Sequence, residues 1–461
     1  MTTLTTPPAE PSFDWRPQPQ AGALVNRLLS EYIAQHARLA NLGTQMLLQT
    51  GTRLVDWLDH LVVPPSDAFA HEAASAGYAI DRDREATVWR HAGGMFPPLV
   101  TAESPMHGNL VAGVAIKVED VDFFLQAHGL TGKVATLGIL KGPLRSALVE
   151  ASNDVGFWIV ERHGFDDFAP PTVTAQQITA AQEYFQRFTT RKRKFNEPAD
   201  GFAHARQLIR EAQDDIGLHW ATDRFSAAER AYWQGRNRAA QAQYARQQRL
   251  GLGWANHDHH TYRSSRQCFG DLIATLELMG FECRERFYAG REAGWGAQVL
   301  EQHRCGLCVF ADVDLSPDEV AQDFAHQPLA ERDQLGTVGL WCALHGEAFL
   351  EAGMHHLEAQ FSFEAAREQL QQAGIESMKP FTDLPFLRQA FTAGEMWPVE
   401  PTRIDRLLSA GKITAEQADK FRRDGALGSH LEVLQRDDGY KGFNQTGISD
   451  IISRTDPRRG A

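Results

Sequence analysis

His259 and Arg263 stand four residues apart in the string Asp258-His259-His260-Thr261-Tyr262-Arg263. Two later strings carry complementary chemistry: Met354-His355-His356-Leu357 and His430-Leu431-Glu432-Val433-Leu434-Gln435-Arg436. Two imidazoles and one carboxylate, each expected on its own strand, make the ligand set of a mononuclear non-haem iron(II) site. Such a triad takes one face of an octahedron and leaves three adjacent positions for a bidentate substrate and O2. Successive strand residues face opposite sides, so one histidine of each adjacent pair points inward. His259 is selected because Arg263 shares its strand face. His356 is selected because it lies six residues before Ser362, as His259 lies six before Ser265. His355 and His260 stay open as the alternatives. Arg263 is the candidate to bind and orient a substrate carboxylate, because its planar fork accepts one through two hydrogen bonds. The competing reading is an ion pair with Glu282 or Glu285. Gln298 is a candidate substrate-binding group lining the same cup, set against a plain exposed strand position. Lys441 and Asn444 follow the Glu432 strand, where the chain can fold over the site.

The elements that must position these residues recur in one order. A strand over His259–Ser264, a helix over Arg266–Met279 and strands over Glu282–Tyr288, Ala297–Gln302 and Leu307–Asp312 read as β-α-β-β-β. Leu272, Ile273, Leu276 and Met279 form the apolar side of that helix, and Gly280 ends it. A second round starts at Gly353–Phe361, continues with a helix over Phe363–Ala373 and ends at Ser429–Arg436, with a helical insert at about 383–424. An earlier unit of the same order, without ligands, runs from Leu110 to Glu161. Residues from about 22 to 75 look helical, as do those from 172 to 250, including Thr174–Phe188 and Ala227–Gln248. The expected organisation is a tail over 1–21, a helical start plus a ligand-free unit over 22–171, a helical connector over 172–250 and a metal-binding domain over 251–461. The fold class is α+β, with repeated β-α-β-β-β units forming a barrel-like metal cup, the plan of vicinal-oxygen-chelate folds.

Composition narrows the function. The chain has 461 residues, 43% hydrophobic and 23% charged, with a net charge of −13. That balance disfavours nucleic acid and anionic membranes as partners, and the run Arg191-Lys192-Arg193-Lys194 reads as a solvated helix end. No apolar run is long enough for a membrane span, and residues 1–20 lack a signal core, so a cytoplasmic location is expected. Five cysteines argue against a disulfide framework, and Cys305-Gly306-Leu307-Cys308 reads as buried thiols in a strand.

The string from His259 to Tyr288 resembles the first metal-binding segment of the bacterial 2-oxoadipate dioxygenase/decarboxylases, also called hydroxyglutarate synthases. The shared features are His259-x-x-x-Arg263, a helix ending in Met279-Gly280 and a strand bearing Tyr288. His356-Leu357 resembles the second ligand segment of that family. Glu432-x-x-Gln435-Arg436 resembles its carboxylate segment and that of 4-hydroxyphenylpyruvate dioxygenases, in which a Gly-rich stretch like Gly439–Asn444 follows. The resemblance covers residues 255 to 455. It departs at Gln360, where the oxoadipate family has Arg, and leaves His163 in Glu161-Arg162-His163-Gly164 as a lower-ranked rival ligand. It implies an Fe(II)-dependent dioxygenase that decarboxylates a small 2-oxo acid with O2, giving a hydroxy acid and CO2. The alternatives are an aromatic 2-oxo acid dioxygenase and a non-oxidative lyase or isomerase with four protein ligands. Homo-oligomer formation is left open.

Overall fold

The structure, a computed structural model, describes residues 15–83, 86–101, 104–382, 384–444 and 455–458. The first fourteen residues of the expected tail lie outside these. From Trp15 onward the chain is engaged, with the Trp15 indole donating to Glu285 at 2.7 Å.

Two large sheets carry the architecture. The N-terminal sheet holds β1 (Leu58–Val63), β2 (Tyr78–Asp83), β3 (Thr87–His91), β4 (Leu99–Thr101), β5 (Ala112–Lys117), β6 (Thr136–Leu137), β7 (Leu144–Ser152) and β8 (Val155–Arg162). Its order is β2-β3-β4-β1-β5-β8-β7-β6. The C-terminal sheet holds β9 (His257–Arg263), β10 (Glu282–Tyr288), β11 (Trp295–Gln302), β12 (Leu307–Asp314), β13 (His356–Gln360), β14 (Leu387–Phe391) and, beyond the short ribbon β15 (Met396–Trp397) with β16 (Ala426–Leu427), β17 (His430–Arg436). Its order is β10-β11-β12-β9-β13-β17-β14. In both sheets the first strands of two β-α-β-β-β units pair antiparallel at the centre (β1 with β5, β9 with β13). Each last strand runs parallel to its own first strand. The protein is thus α+β, with a paired β-α-β-β-β arrangement built twice over and each sheet open at its edges.

Helices α1 (Pro19–Ile33), α2 (Ala37–Gln45), α3 (Asp67–Ser75) and α4 (Val121–Ala127) accompany the first sheet. The connector is α5 (Ala175–Thr189), α6 (Pro198–Ile216), α7 (Leu218–Gln234) and α8 (Arg238–Arg249). Next come α9 (Phe269–Leu278), α10 (Pro317–Val320), α11 (Thr337–His345), α12 (Phe363–Gln372), α13 (Pro401–Ser409) and α14 (Ala415–Asp424). Residues that alternate along the strands divide between the two faces. Leu61, Val114, Phe157 and Ile159 join the core under α1 and α2, while Val62, Ala115, Trp158 and Val160 pack on the opposite face with Met106 and Phe168. That second face, the counterpart of the metal cup, is filled by side chains, with His107 edge-on to Trp158 at 5.1 Å.

Several expectations need correction. The helical reading of residues 22–75 missed β1, whose Leu61-Val62-Val63 run ends at Pro64-Pro65, where no helix continues. With α3 and β2–β4, β1 makes a complete unit, so the N-terminal half holds two units rather than one. The helix expected over 227–248 breaks after Gln234, and Asn237 caps α8 by accepting from the Ala240 amide at 2.9 Å. The insert begins later than residue 383, because Leu387–Phe391 is a sheet strand paired with β17. The second strand of that unit shrinks to one bridge, Ser377 with Thr392. The basic run is not a solvated end: Arg191 and Arg193 are buried and both pair with Glu229, at 3.1 and 2.6 Å. The pair alternates inward while Lys192 and Lys194 face out. All five cysteines are free, with Cys308 in β12 and Cys305 in the turn before it. Among the described residues no helix is long and apolar enough to cross a membrane.

Candidate metal centre

Strand pairing brings the three selected ligands together. β9 and β13 run antiparallel with His260 opposite Leu357, flanked by the pairs His259–Glu358 and Thr261–His356. A twofold through the central pair therefore exchanges His259 with His356. β17 lies parallel beside β13 with Glu432 next to Glu358. One ligand atom from each of His259, His356 and Glu432 falls within 4.8 Å of the others, and all three residues are buried. His356 Nε2 is 3.2 Å from Glu432 and 2.8 Å from the Thr261 hydroxyl.

In the first pair the adjacent histidines divide as strand alternation requires. His260 points to the other face, where its Nε2 meets Arg230 at 3.4 Å. His355 also reaches the cup wall, but its Nδ1 sits 3.0 Å from His356 Nδ1 and its Nε2 has no partner. His163 lies in the N-terminal half between Glu161 at 2.8 Å and Asp223 at 3.2 Å, away from this cluster.

Around the triad stands a layer that sequence reasoning missed. Glu358 approaches His259 Nδ1 at 2.5 Å, and Asp258 approaches the same nitrogen at 3.3 Å, which leaves His259 Nε2 for a cation. Asp258 is held by Gln360 at 2.9 Å and by Arg436 at 3.2 and 3.3 Å. Such carboxylate–histidine contacts fix the ring orientation of a metal ligand. Gln389 on β14 donates to Glu432 at 3.0 Å. The signal for Glu358 was available, since it is two residues past His356 and period two returns it to the same face. Gln389 was hidden by the assignment of its segment to a helical insert.

The cup is walled by aromatic rings, among them Phe287, Trp295, Phe310, Phe391 and Phe443, and encloses about 70 Å³. Phe443 stands edge-on to Phe310 at 4.5 Å and to His259 at 5.5 Å. Arg436 places this lid by donating to the carbonyls of Tyr440 (3.1 Å) and Gly442 (2.6 Å). Asn444 lines the cup and donates to the Phe381 carbonyl at 2.6 Å, while Lys441 turns outward to Glu301 at 3.1 Å. Arg436 joins Asp258, the lid and β17 in one buried network. Arg436→Met should therefore cost about 3–5 kcal/mol, the usual result of stranding one member of a buried pair; urea unfolding measures it.

Arg263 shares the cup face with His259, two same-face positions farther along β9. Its side chain is 1% exposed, and neither Nε nor Nη1 has a hydrogen-bond partner. It forms no ion pair with Glu282 or Glu285. Its nearest carboxylate among the described residues, Asp312, is 3.9 Å away, beyond hydrogen-bond reach. Burial pushes the Asp312 carboxyl up to about 8, so at neutral pH it is largely uncharged and does not neutralise the guanidinium. A carboxyl raised in the folded state supports folding below its unfolded value and loses that contribution as pH rises through about 8. Replacing Asp312 by Asn should flatten this loss, so the stability of wild type relative to Asp312→Asn falls between pH 4 and pH 9 in denaturant melts.

Gln298 is not in the cup. Its register partner on β12 is Ala311, whereas the cup-lining Phe310 and Asp312 pair with Val299 and Ala297. The side chain faces the other way and donates to the carbonyls of Glu285 and Val299, at 3.0 and 3.1 Å.

Elsewhere in the site, burial dominates the titration. It pushes Glu432 up to about 7 and Glu358 well above the usual carboxylate range, while His356 and His430 are driven down to about 3. Although burial works against it, Arg436 and His259 keep Asp258 low. Neutral imidazoles beside buried carboxyl groups, which ionise when a cation replaces their protons, are the donor chemistry a divalent cation needs. The residues present fit iron(II) as two nitrogen ligands and one oxygen ligand on one side of the ion.

No protein-family model matches the chain, and no curated protein matches it. Among solved structures, a triple mutant of 4-hydroxymandelate synthase from Streptomyces coelicolor is 12% identical over 88% of this chain and 99% of its own, with a TM-score of 0.26. Methylmalonyl-CoA epimerase from Mycobacterium tuberculosis is 12% identical over 40% of this chain and 88% of its own, with a TM-score of 0.22. A methylmalonyl-CoA epimerase variant from Streptomyces coelicolor is 14% identical over 39% and 96%, with a TM-score of 0.21.

Proposed function

We propose that the protein is a non-haem iron(II) dioxygenase that oxidatively decarboxylates a 2-oxo acid, with the metal held by His259, His356 and Glu432. The observation that carries this reading is the convergence of these three side chains in one cup with a guanidinium, Arg263, on the same wall whose Nε and Nη1 have no hydrogen-bond partner among the described residues. Iron(II) would supply coordination positions for the keto acid and for O2. The chain's own residues do the rest. Asp258 and Glu358 orient His259, Gln389 orients Glu432, and the rings of Phe310, Phe391 and Phe443 exclude water.

Arg263 would receive a carboxylate in the dry cup, where such a pair is strong. The chelated end of a 2-oxo acid belongs at the metal, so Arg263 suits the distal carboxylate of a 2-oxo dicarboxylate such as 2-oxoadipate. At about 70 Å³ the cup is smaller than ordinary small-molecule pockets, so a substrate of that size requires it to widen. The phenylalanine wall favours, as a second substrate reading, an aromatic 2-oxo acid. A second reaction class also has a specific observation behind it. Asp258, His259 and Glu358 form an overlapping cluster within 4.8 Å, and a fourth ligand from Glu358 would suit a non-oxidative lyase or isomerase.

Oxygen uptake decides among these. Iron-loaded protein mixed with a panel of 2-oxo acids, aliphatic dicarboxylates and aryl pyruvates included, is expected to consume O2 and release CO2 in equal amounts. Absence of uptake with every member, alongside substrate turnover under argon, would overturn the oxygenase reading in favour of the lyase or isomerase.

A further inference from the structure

A second cavity, of about 1030 Å³, opens between the two sheets, walled by strand ends of the N-terminal sheet, by α5 and α7 and by the approach to β9. Its volume reaches the upper end of ordinary small-molecule pockets. Most of the cations on its wall are matched by carboxylates. Arg162 pairs with Asp59 at 2.7 and 2.9 Å, Arg224 pairs with Asp223 at 2.6 Å, and Lys141 pairs with Asp120.

Two cations on the wall are not matched. Arg230 on α7 is 7% exposed, makes no ion pair among the described residues and leaves Nε without a partner. Its one side-chain hydrogen bond is the long contact to His260 Nε2. The carboxylates nearest in charge influence are Asp223 and Glu119. Both are engaged elsewhere, Asp223 by Arg224 and His163, Glu119 by the Tyr244 hydroxyl at 3.1 Å. Lys117, at the end of β5, lines the same cavity and has neither an ion pair nor a hydrogen bond among the described residues. Leaving a buried cation such as Arg230 uncompensated costs several kcal/mol, a cost the protein avoids at the neighbouring arginines; Lys117 is half-buried. Phe165, Phe185 and Trp254 add apolar wall beside the two cations.

We infer that this cavity is a binding site, separate from the metal cup, for an organic anion whose carboxylate or phosphate is received by Arg230 and Lys117 and whose apolar body lies on the aromatic wall. Because Arg230 also touches His260, on the far side of the strand that carries His259, the occupant would rest against the back of the metal-bearing strand.

Calorimetric titration of the full-length protein with phenyl phosphate, 4-phenylbutyrate and the uncharged 4-phenylbutanol tests this. At least one anion is expected to bind tenfold or more tightly than the alcohol, and the tighter of the two identifies the head group. Arg230→Met and Lys117→Met should each weaken that anion by tenfold or more, and Arg263→Gln in the metal cup should leave it unchanged. Lys117→Met carries the comparison should Arg230→Met fail to fold. Binding of neither anion, undiminished binding in both variants, or a loss confined to Arg263→Gln would overturn the assignment. The last outcome would place the anion in the metal cup, so the two sites are distinguished by the same titration.

Discussion

Loaded with iron(II) under anaerobic conditions, His259→Ala and Glu432→Ala should each lose more than about 100-fold in metal affinity, and with it O2 uptake. Outer partners of metal ligands typically contribute 10- to 100-fold, so a ligand itself should exceed that range. His260 faces away, and His355 is turned against His356 Nδ1. His355→Ala and Gln389→Ala act only through a neighbour and should fall within the 10- to 100-fold range. Glu358→Gln separates the two reaction classes. If Glu358 only orients His259, its amide variant keeps iron with a modest loss; if it is a fourth ligand, the variant behaves like Glu432→Ala. Metal analysis after gel filtration reads all five variants. Full iron retention by the His259 and Glu432 variants would remove the basis of the proposed activity.

Arg263→Gln should lower kcat/KM for a 2-oxo dicarboxylate by roughly 30- to several-thousand-fold, corresponding to the 2–5 kcal/mol associated with truncating one partner of a buried charge pair. The same variant should treat a 2-oxo monocarboxylate of equal length almost as wild type does. Arg263 therefore predicts a collapse of selectivity more than a loss of chemistry, and an unchanged dicarboxylate preference would exclude it as the receptor. Its effect on stability should be opposite to its effect on catalysis. Without substrate, Nε and Nη1 are buried without partners and Asp312 is largely neutral. Arg263→Met then removes an uncompensated charge and should leave stability unchanged or raised. Arg436→Met, on the same sheet, removes a satisfied one and should destabilise. Two buried arginines with opposite signs in denaturant melts would show that one is structural and the other kept for a ligand.

Local pattern was enough for most strands and helices near the site. Glu282–Tyr288 matches its expected bounds, and β9, β12, β13, β17, α9 and α12 lie within a few residues of theirs, because period-two and period-3.6 apolar spacing reflects which face is buried. β1 and β14 escaped for different reasons. β1 is six residues long, between helical stretches. β14, Leu387-Arg-Gln-Ala-Phe, has a weak pattern of its own and becomes a strand by pairing with β17. Short strands draw their stability from partners distant in sequence, which a local window cannot weigh.

By itself, the sequence determined the residue types of the candidate cluster and their placement on separate strands, since both follow from side-chain chemistry and alternation along a strand. Tertiary structure alone decided what surrounds them. Register between β9, β13 and β17 set Glu358 against His259, pairing of β14 brought Gln389 to Glu432, and the parity of β11 turned Gln298 away. Only folding could show that Arg263 has no carboxylate within hydrogen-bond reach among the described residues, because whether a charge is compensated depends on distances between residues that the chain brings together from far apart.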